Sequence, residues 1–398
     1  LAVIRVIETL ATGIAAAGSL LALGGLGLEL NYRLLPRGNK LELTAGEWHL
    51  AINEPNHYLL VGEMEFRNLT KRFEIMLPSV RAGVKLLSDG SLDDVTSKTK
   101  VIPCHNDASA RADDYWFGYI VKAQKTTKIK VSVEIHGQDL SKLQSAWVQV
   151  NYVTYGPGGR IPKVRHVVVP LQFPNSETVP NARNVGVAEV LPIRTHILTE
   201  LDHPVEIVKR YVLPRAQKGD IVALAETPLA LMQGRYRHPS EVKPGWAAKR
   251  VCLFFLPMSS LATACGMQTL VDVVGPWRVV AAFAIGAVAK VFGKPGVFYQ
   301  LAGEQARLID DVTGTLPPFD QFIVLGPDNP QQVVEEIQRE TGLAAAIVDA
   351  NDLKAVKILA ATSDLSVTFL EQALRSNPAG NADERTPVVV IRPLPKNS

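Results

Sequence analysis

Leu191-Pro-Ile-Arg-Thr-His-Ile-Leu-Thr-Glu200, then Lys218-Gly-Asp-Ile-Val-Ala-Leu-Ala-Glu226, then Gln233-Gly-Arg235 form the stretch that decides how the C-terminal half is read. A strand over Ile221 to Leu224 leaves a Gly-Asp turn and leads into a segment ending on Gly-Arg, where bare backbone and a guanidinium approach an anion together. A lone Gly-Arg pair is more often a turn with a solvated arginine, so the order of the blocks carries the reading.

Working outward, the pattern after residue 184 alternates. Apolar runs at Ala345 to Val348 and Val388 to Ile391 read as strands, and Val205 to Tyr211, Gln331 to Thr341 and Val367 to Arg375 as helices. Gln331 to Thr341 opens after Asp328-Asn-Pro and stops at Gly342, the expected start and stop signals. The alternation predicts an α+β or mixed α/β domain over 185–398.

Upstream, residues 41–174 read differently. Ile129, Val131, Val133 and Ile135 alternate with Lys130, Ser132 and Glu134, the period of a half-buried strand. Similar runs at Trp48 to Ile52, Tyr58 to Phe66, Arg72 to Leu77, Trp116 to Ala123, Ala146 to Val153 and Val164 to Leu171 predict a small antiparallel all-β sandwich. No catalytic pattern is visible in it, and His57, His105, His136 and His166 read as isolated strand or loop residues. Residues 175–184, polar and Pro-containing, read as a linker.

Leu10 to Leu28 is uncharged, and as a helix it reaches roughly 28 Å, close to the hydrocarbon thickness of a bilayer. We read residues 1–40 as a transmembrane helix with its flank, against a cleaved signal peptide or a buried helix. Arg33, Arg37 and Lys40 follow the run and Arg5 precedes it, which places a single-pass protein's soluble part on the cytoplasmic side. Two later apolar runs, Val251 to Val271 and Val279 to Ala289, are expected to be buried core.

The net charge of +3 and the absence of a long basic run with interleaved aromatics argue against nucleic acid as a partner. Cys104, Cys252 and Cys265 are odd in number and widely spaced, which suits neither a disulfide framework nor a cysteine-based zinc site.

With Cys265-Gly-Met-Gln-Thr-Leu270, Phe292-Gly-Lys-Pro-Gly-Val-Phe-Tyr299, Ile309-Asp310, Leu316-Pro-Pro-Phe-Asp320, Val348-Asp-Ala-Asn-Asp352, Asn377-Pro-Ala-Gly380 and Thr386 to Arg392 in the same order, the chain from about Val190 to Arg392 resembles the coenzyme F420:L-glutamate ligases, or F420-0:gamma-glutamyl ligases. It is more similar still to a branch of ligase-like relatives. The resemblance implies a mixed α+β ligase fold that commonly pairs into a homodimer. It also implies an acid-amine ligase that adds glutamate or a similar amine to a carboxylate acceptor, with Mg2+ or Mn2+ and with GTP or ATP as co-substrate.

Such a reaction passes through an acyl phosphate, so its site must gather carboxylates for a divalent cation and basic groups for phosphate. By resemblance Asp310 and Asp349 bind the metal, Asn351 and Gly234 the nucleotide, and Arg235 the phosphates, with Asp349 and Arg235 serving catalysis. Arg194 and Thr195 are placed to hold a phosphate or the substrate carboxylate, with a salt bridge from Arg194 to Glu200 or Asp202 as the structural alternative. Two departures matter. Ala350 replaces the threonine of the family's Asp-Thr-Asn, and Leu231 stands where many members carry a lysine. A second reading is therefore an inactive ligase-fold scaffold that recruits partners, membrane proteins among them, at a membrane.

Overall fold

The structure is a computed structural model that describes residues 17–30, 39–109, 111–113, 115–175, 181–257, 259–311, 316–350, 354–380 and 384–394. Helix α1 (Ala17–Leu30) is apolar and exposed along its length. The earlier part of the expected span lies outside the described residues, and no single described helix is long and apolar enough to cross a membrane.

Strands β1 (Leu41–Leu43), β2 (Glu47–Glu54), β3 (His57–Asn68), β4 (Ile75–Ser88), β5 (Thr96–Cys104), β6 (Tyr119–Val121), β7 (Thr126–His136), β8 (Leu143–Gly156) and β9 (Gly159–Pro170) form two antiparallel sheets. One runs β1-β3-β7-β5 with β2 on β3, the other β6-β4-β8-β9. Ile129, Val131, Val133 and Ile135 enter one core with Leu60, Met64, Phe66, Val148, Val150 and Tyr152. The period-two pattern thus reports the inner face of the sandwich. Strand β5, with Lys98 and Lys100 on an edge, had no strong alternation to announce it. The run expected at Arg72 is displaced to Ile75, because Thr70 and Asn68 hydrogen-bond to the Phe73 carbonyl and hold residues up to Phe73 in a turn.

The second part holds a six-stranded sheet built from β10 (Arg183–Asn184), β11 (Ala188–Ile193), β12 (Ile221–Ala225), β16 (Ala344–Ala350), β17 (Val356–Ala361) and β18 (Val388–Pro393). Their order is β10-β11-β18-β12-β16-β17, so the end of the expected linker, Arg183–Asn184, is itself paired to the sheet. Helices α2 (Pro204–Tyr211) and α9 (Pro330–Thr341) cover Val222, Leu224, Ala345 and Ile347 on one face. Helix α10 (Val367–Leu374) covers Ala223, Ala346 and Val348 on the other. Both faces are buried, which is why these strands read as unbroken apolar runs.

Between β12 and β16 lie α3 (Glu226–Met232), α4 (Trp246–Val251), α5 (Ala264–Val274), α6 (Pro276–Val291), α7 (Val297–Ala302) and α8 (Gln305–Leu308). They are accompanied by a small sheet, β13 (Tyr236–Arg237), β15 (Ile323–Val324) and β14 (Asp310–Asp311), in that order. The expectation of buried core fails in part here. Of Val251 to Val271, Val251, Cys252, Leu261, Met267, Leu270 and Val271 are buried, but Leu253, Phe254 and Leu256 are exposed. Helix α6 buries only Val279, Ala282 and Gly286.

The sandwich and the α+β part share an apolar contact. Trp147 and Val168, on the outer face of β8 and β9, pack with Ile197, Ala230, Leu231, Phe319, Phe322 and Val324. The Trp147 indole donates to His166 Nδ1 at 3.1 Å, and the His166 ring stacks on His238. Arg165 of β9 pairs with Glu200, which also accepts from the Tyr236 hydroxyl at 2.8 Å. Gly234 sits beside this carboxylate at a φ of +66°, where a Cβ would lie 3.2 Å from Glu200 Oε2. Replacing Trp147 with alanine removes a large buried ring from the shared contact and is expected to cost about 3 kcal/mol in urea unfolding. A loss below about 1 kcal/mol would show that the two parts do not stabilise one another through it.

Candidate carboxylate site

Strands β12 and β16 run parallel in register, with Ala225 opposite Val348. Glu226, the next residue after β12, and Asp349, the next after Val348, are therefore carried to the same end of neighbouring strands. Ligand sites of open sheets lie at this carboxyl edge. Asp310 arrives from the small sheet, where it pairs with Val324. The three carboxylates lie close enough to act on each other electrostatically, for Asp349 and Asp310 both raise Glu226 and Asp349 raises Asp310. Lys357, opposite Asp349 across β16 and β17, is the cation that opposes the shift at Glu226 and Asp349.

Burial is the larger cause for all three. It pushes the Glu226 carboxyl up to about 8, with Asp349 and then Asp310 adding to it. Asp310 is pushed up to about 6 by burial and then by Asp349, and burial raises Asp349. Glu226 Oε2 is buried and has no hydrogen-bond partner among the described residues. An oxygen left this way carries a desolvation cost that a bound cation or a retained proton offsets. Asp310 also lines a cavity of about 450 Å3 with Ser259, Ser260, Tyr299, Ala306 and Arg307.

The expected site residues do not all converge. Asp310 and Asp349 come within electrostatic reach of each other, although their ligand atoms and those of Glu226 do not all lie within 4.8 Å of one another. Arg235 donates from Nε to the Gly326 carbonyl at 2.6 Å and lines a different cavity, of about 420 Å3, with Asp202, His203, Gln233, Asp328 and Asn329. Arg194 and Thr195 line a third, of about 180 Å3, with Gln144, Phe173 and Arg385. The Thr195 hydroxyl donates to the His196 carbonyl. Neither acid offered as a partner for Arg194 is spare, because Glu200 pairs with Arg165 and Asp202 with His196. Asn351 lies outside the described residues. Glu226 was missed as a site residue, although it ends an apolar strand as Asp349 does, and that shared pattern was the available signal.

The histidines of the sandwich are not isolated. His57 and His136 stack at 4.2 Å, and each lies 3.3 Å from Glu134 Oε1, a group of three possible metal ligands. The ligand atoms of all three lie within 4.8 Å of one another, at a half-exposed edge of the sandwich away from the carboxylates of the α+β part. His105 bonds Thr127, and His166 lies in the contact with the α+β part.

Residues 42–173 match the family described as F420-0:gamma-glutamyl ligase, N-terminal Ig-like domain. This supports a relationship to that ligase family, and the all-β region is consistent with an Ig-like domain. The match falls on the sandwich, where the sequence had shown no catalytic pattern, and the likeness read in residues 190–392 is not confirmed by it. No curated protein matches. Among solved structures, the chain is similar to the yeast GGA1 GAE domain at 13% identity and TM-score 0.19, over 34% of this chain and 96% of that one. It is also similar to a PapD-like domain of human CEP192 at 8% and 0.18, over 34% and 90%. A protein from Archaeoglobus fulgidus gives 11% and 0.17, over 34% and 100%. Similarities at this level bear on no functional point.

In the metal-free protein the raised carboxyls favour folding while protonated, so their contribution is present at low pH and lost as pH rises through each folded value. His166, pushed down to about 4 by burial and then by His238, gives the opposite slope below its ordinary value of 6.5. Between pH 6.5 and 8 Glu226 is left as the group to watch, and its ionisation is expected to lower stability by up to about 2 kcal/mol. The check is urea unfolding at stepped pH, in which Glu226→Gln removes this slope. A slope equal in both proteins would mean that Glu226 is not held protonated by its surroundings.

Proposed function

We propose that the chain is a nucleotide-dependent acid-amine ligase related to the F420-0:gamma-glutamyl ligases, joining an amine such as glutamate to a small-molecule carboxylate. The observation that carries this reading is the convergence of Glu226, Asp310 and Asp349 at the carboxyl edge of a parallel strand pair, with the buried Glu226 oxygen unpartnered. Three oxygen donors suit Mg2+ or Mn2+. A cation bound there supplies charge neutralisation to the phosphates of GTP or ATP. Glu226 and Asp310 must lose their protons to ligate, so cation binding strengthens as pH rises. By the resemblance Asn351 takes the nucleotide, and Arg235, which lines the cavity beside Asp328, takes with the preceding Gly234 a phosphate or the substrate carboxylate. Arg194 and Thr195 belong to a more distant part of the substrate path. The apolar segment up to Leu30 tethers the chain to a membrane, with the ligase part on the cytoplasmic side.

One observation favours the second reading, a scaffold without turnover. Leu231, at the family's lysine position, is buried in the contact with Trp147 of the sandwich, so the position has been given over to packing.

The two readings part on nucleotide binding. The full chain is heated with GTP or ATP and Mg2+ or Mn2+, since a ligand that binds only the folded state raises the melting temperature. The ligase reading expects a rise of several degrees for one nucleotide, dependent on the cation and absent in Asp349→Ala. No rise with either nucleotide, or an equal rise in Asp349→Ala, leaves the scaffold.

A further inference from the structure

Helix α6 is apolar on every side, with charges only at Arg278 and Lys290 near its ends. A helix of this kind is normally buried in a core or in lipid. Here only one side meets a core, where Val279, Ala282 and Gly286 are buried and Val280 and Phe283 half-buried, while Ile285 and Val288 on the other side face outward. Its exposed side continues onto neighbouring segments. Phe254 lies 4.8 Å from Phe283, and Trp246 lies 5.4 Å from Trp277, ring to ring. Leu253, Phe254, Leu256, Trp277, Val291 and Phe292 are between 71% and 84% exposed. Scattered exposed apolar residues are ordinary, but a contiguous face of six large ones marks an interaction surface.

The charge around this face selects its occupant. From Trp246 to Gly303 the chain carries Lys249, Arg250, Arg278, Lys290 and Lys294 against one acid, Asp272. That acid is engaged by Arg237 at 2.6 Å. All five cations are exposed. A second copy of the chain would bring a like-charged rim against it, whereas an anionic bilayer is complementary in both its apolar interior and its headgroups. The tryptophan pair at the border suits the headgroup level. Helix α6 is about 24 Å long, too short to cross alone. Although α5 and α6 together have the length and composition of a span, they meet at a bend of 111° and α5 is buried from Gly266 to Val271, which leaves α6 to lie along the surface.

We propose that α6, with the loop after α4, forms a docking face for an anionic lipid bilayer, separate from and additional to α1. It seats the α+β part flat on the membrane by embedding Phe254, Leu256, Trp277 and Phe292 while Lys249, Arg250, Lys290 and Lys294 meet the headgroups. The proposal does not depend on ligase activity.

The test uses the full chain with α1 disabled by Leu21→Asp and Leu23→Asp, in flotation and titration with vesicles of phosphatidylcholine alone or with 30% phosphatidylglycerol. The expected result is binding at least about tenfold tighter to the anionic vesicles, weakened at least about tenfold by adding Val288→Glu and Phe292→Glu. Trp277 emission should shift to the blue on binding, and the shift should shrink in Trp277→Phe. Circular dichroism and the melting temperature, unchanged by these surface changes, separate loss of docking from loss of fold. The proposal is overturned if the α1-disabled protein ignores anionic vesicles or if the two glutamates leave binding unchanged. It is equally overturned if sedimentation without lipid shows a dimer that those glutamates dissolve.

Discussion

The parallel pairing of β12 with β16 is the constraint on which the rest of the structure turns. Its register fixes Ala225 against Val348, and the chain has an acid immediately after each. Two carboxylates are thus held together by the backbone hydrogen bonds of buried strands, and no side-chain rotation can separate them far. The fold keeps them there because Val222, Leu224, Ala345 and Ile347 on one face and Ala223, Ala346 and Val348 on the other are covered by helices. The long insertion between the two strands then returns Asp310 through the small sheet. Burial with so little compensating charge is costly, and sequences retain such groups mainly at functional sites.

The sandwich is tied into the same arrangement. Leu231, at the end of α3, stands in the apolar contact with Trp147, and α3 begins at Glu226. Packing between the two parts therefore helps set the angle at which α3 leaves β12, and with it the position of the Glu226 carboxylate. Lys357 is the positive group that opposes the raised carboxyls of Glu226 and Asp349.

Much of this was legible in the chain. Strands with one wet face announced themselves by period two, as in Ile129 to Ile135, and buried strands by short apolar runs, as in Ile221 to Leu224. Helix α9 was bracketed by Asn329-Pro330 and Gly342 within a residue of its observed ends. Asp310 and Asp349 were put together by resemblance alone, since spacing cannot reveal which strand lies beside which, and in the fold Asp349 lies near enough to raise Asp310. Glu226 carried the same mark as Asp349, an acid ending an apolar strand, but its nearness to Asp349 follows only from the parallel pairing of β12 with β16. Helix α6 misled in the opposite way, because an apolar sequence states that water is unfavourable but not what replaces it.

The most direct measurement is a Mn2+ titration of the full chain followed by electron paramagnetic resonance of the free ion. The account predicts one tight site, lost alike in Glu226→Gln, Asp310→Asn and Asp349→Asn. Retention of that site in any of the three variants, with the fold intact, would contradict the claim that these carboxylates hold one cation together.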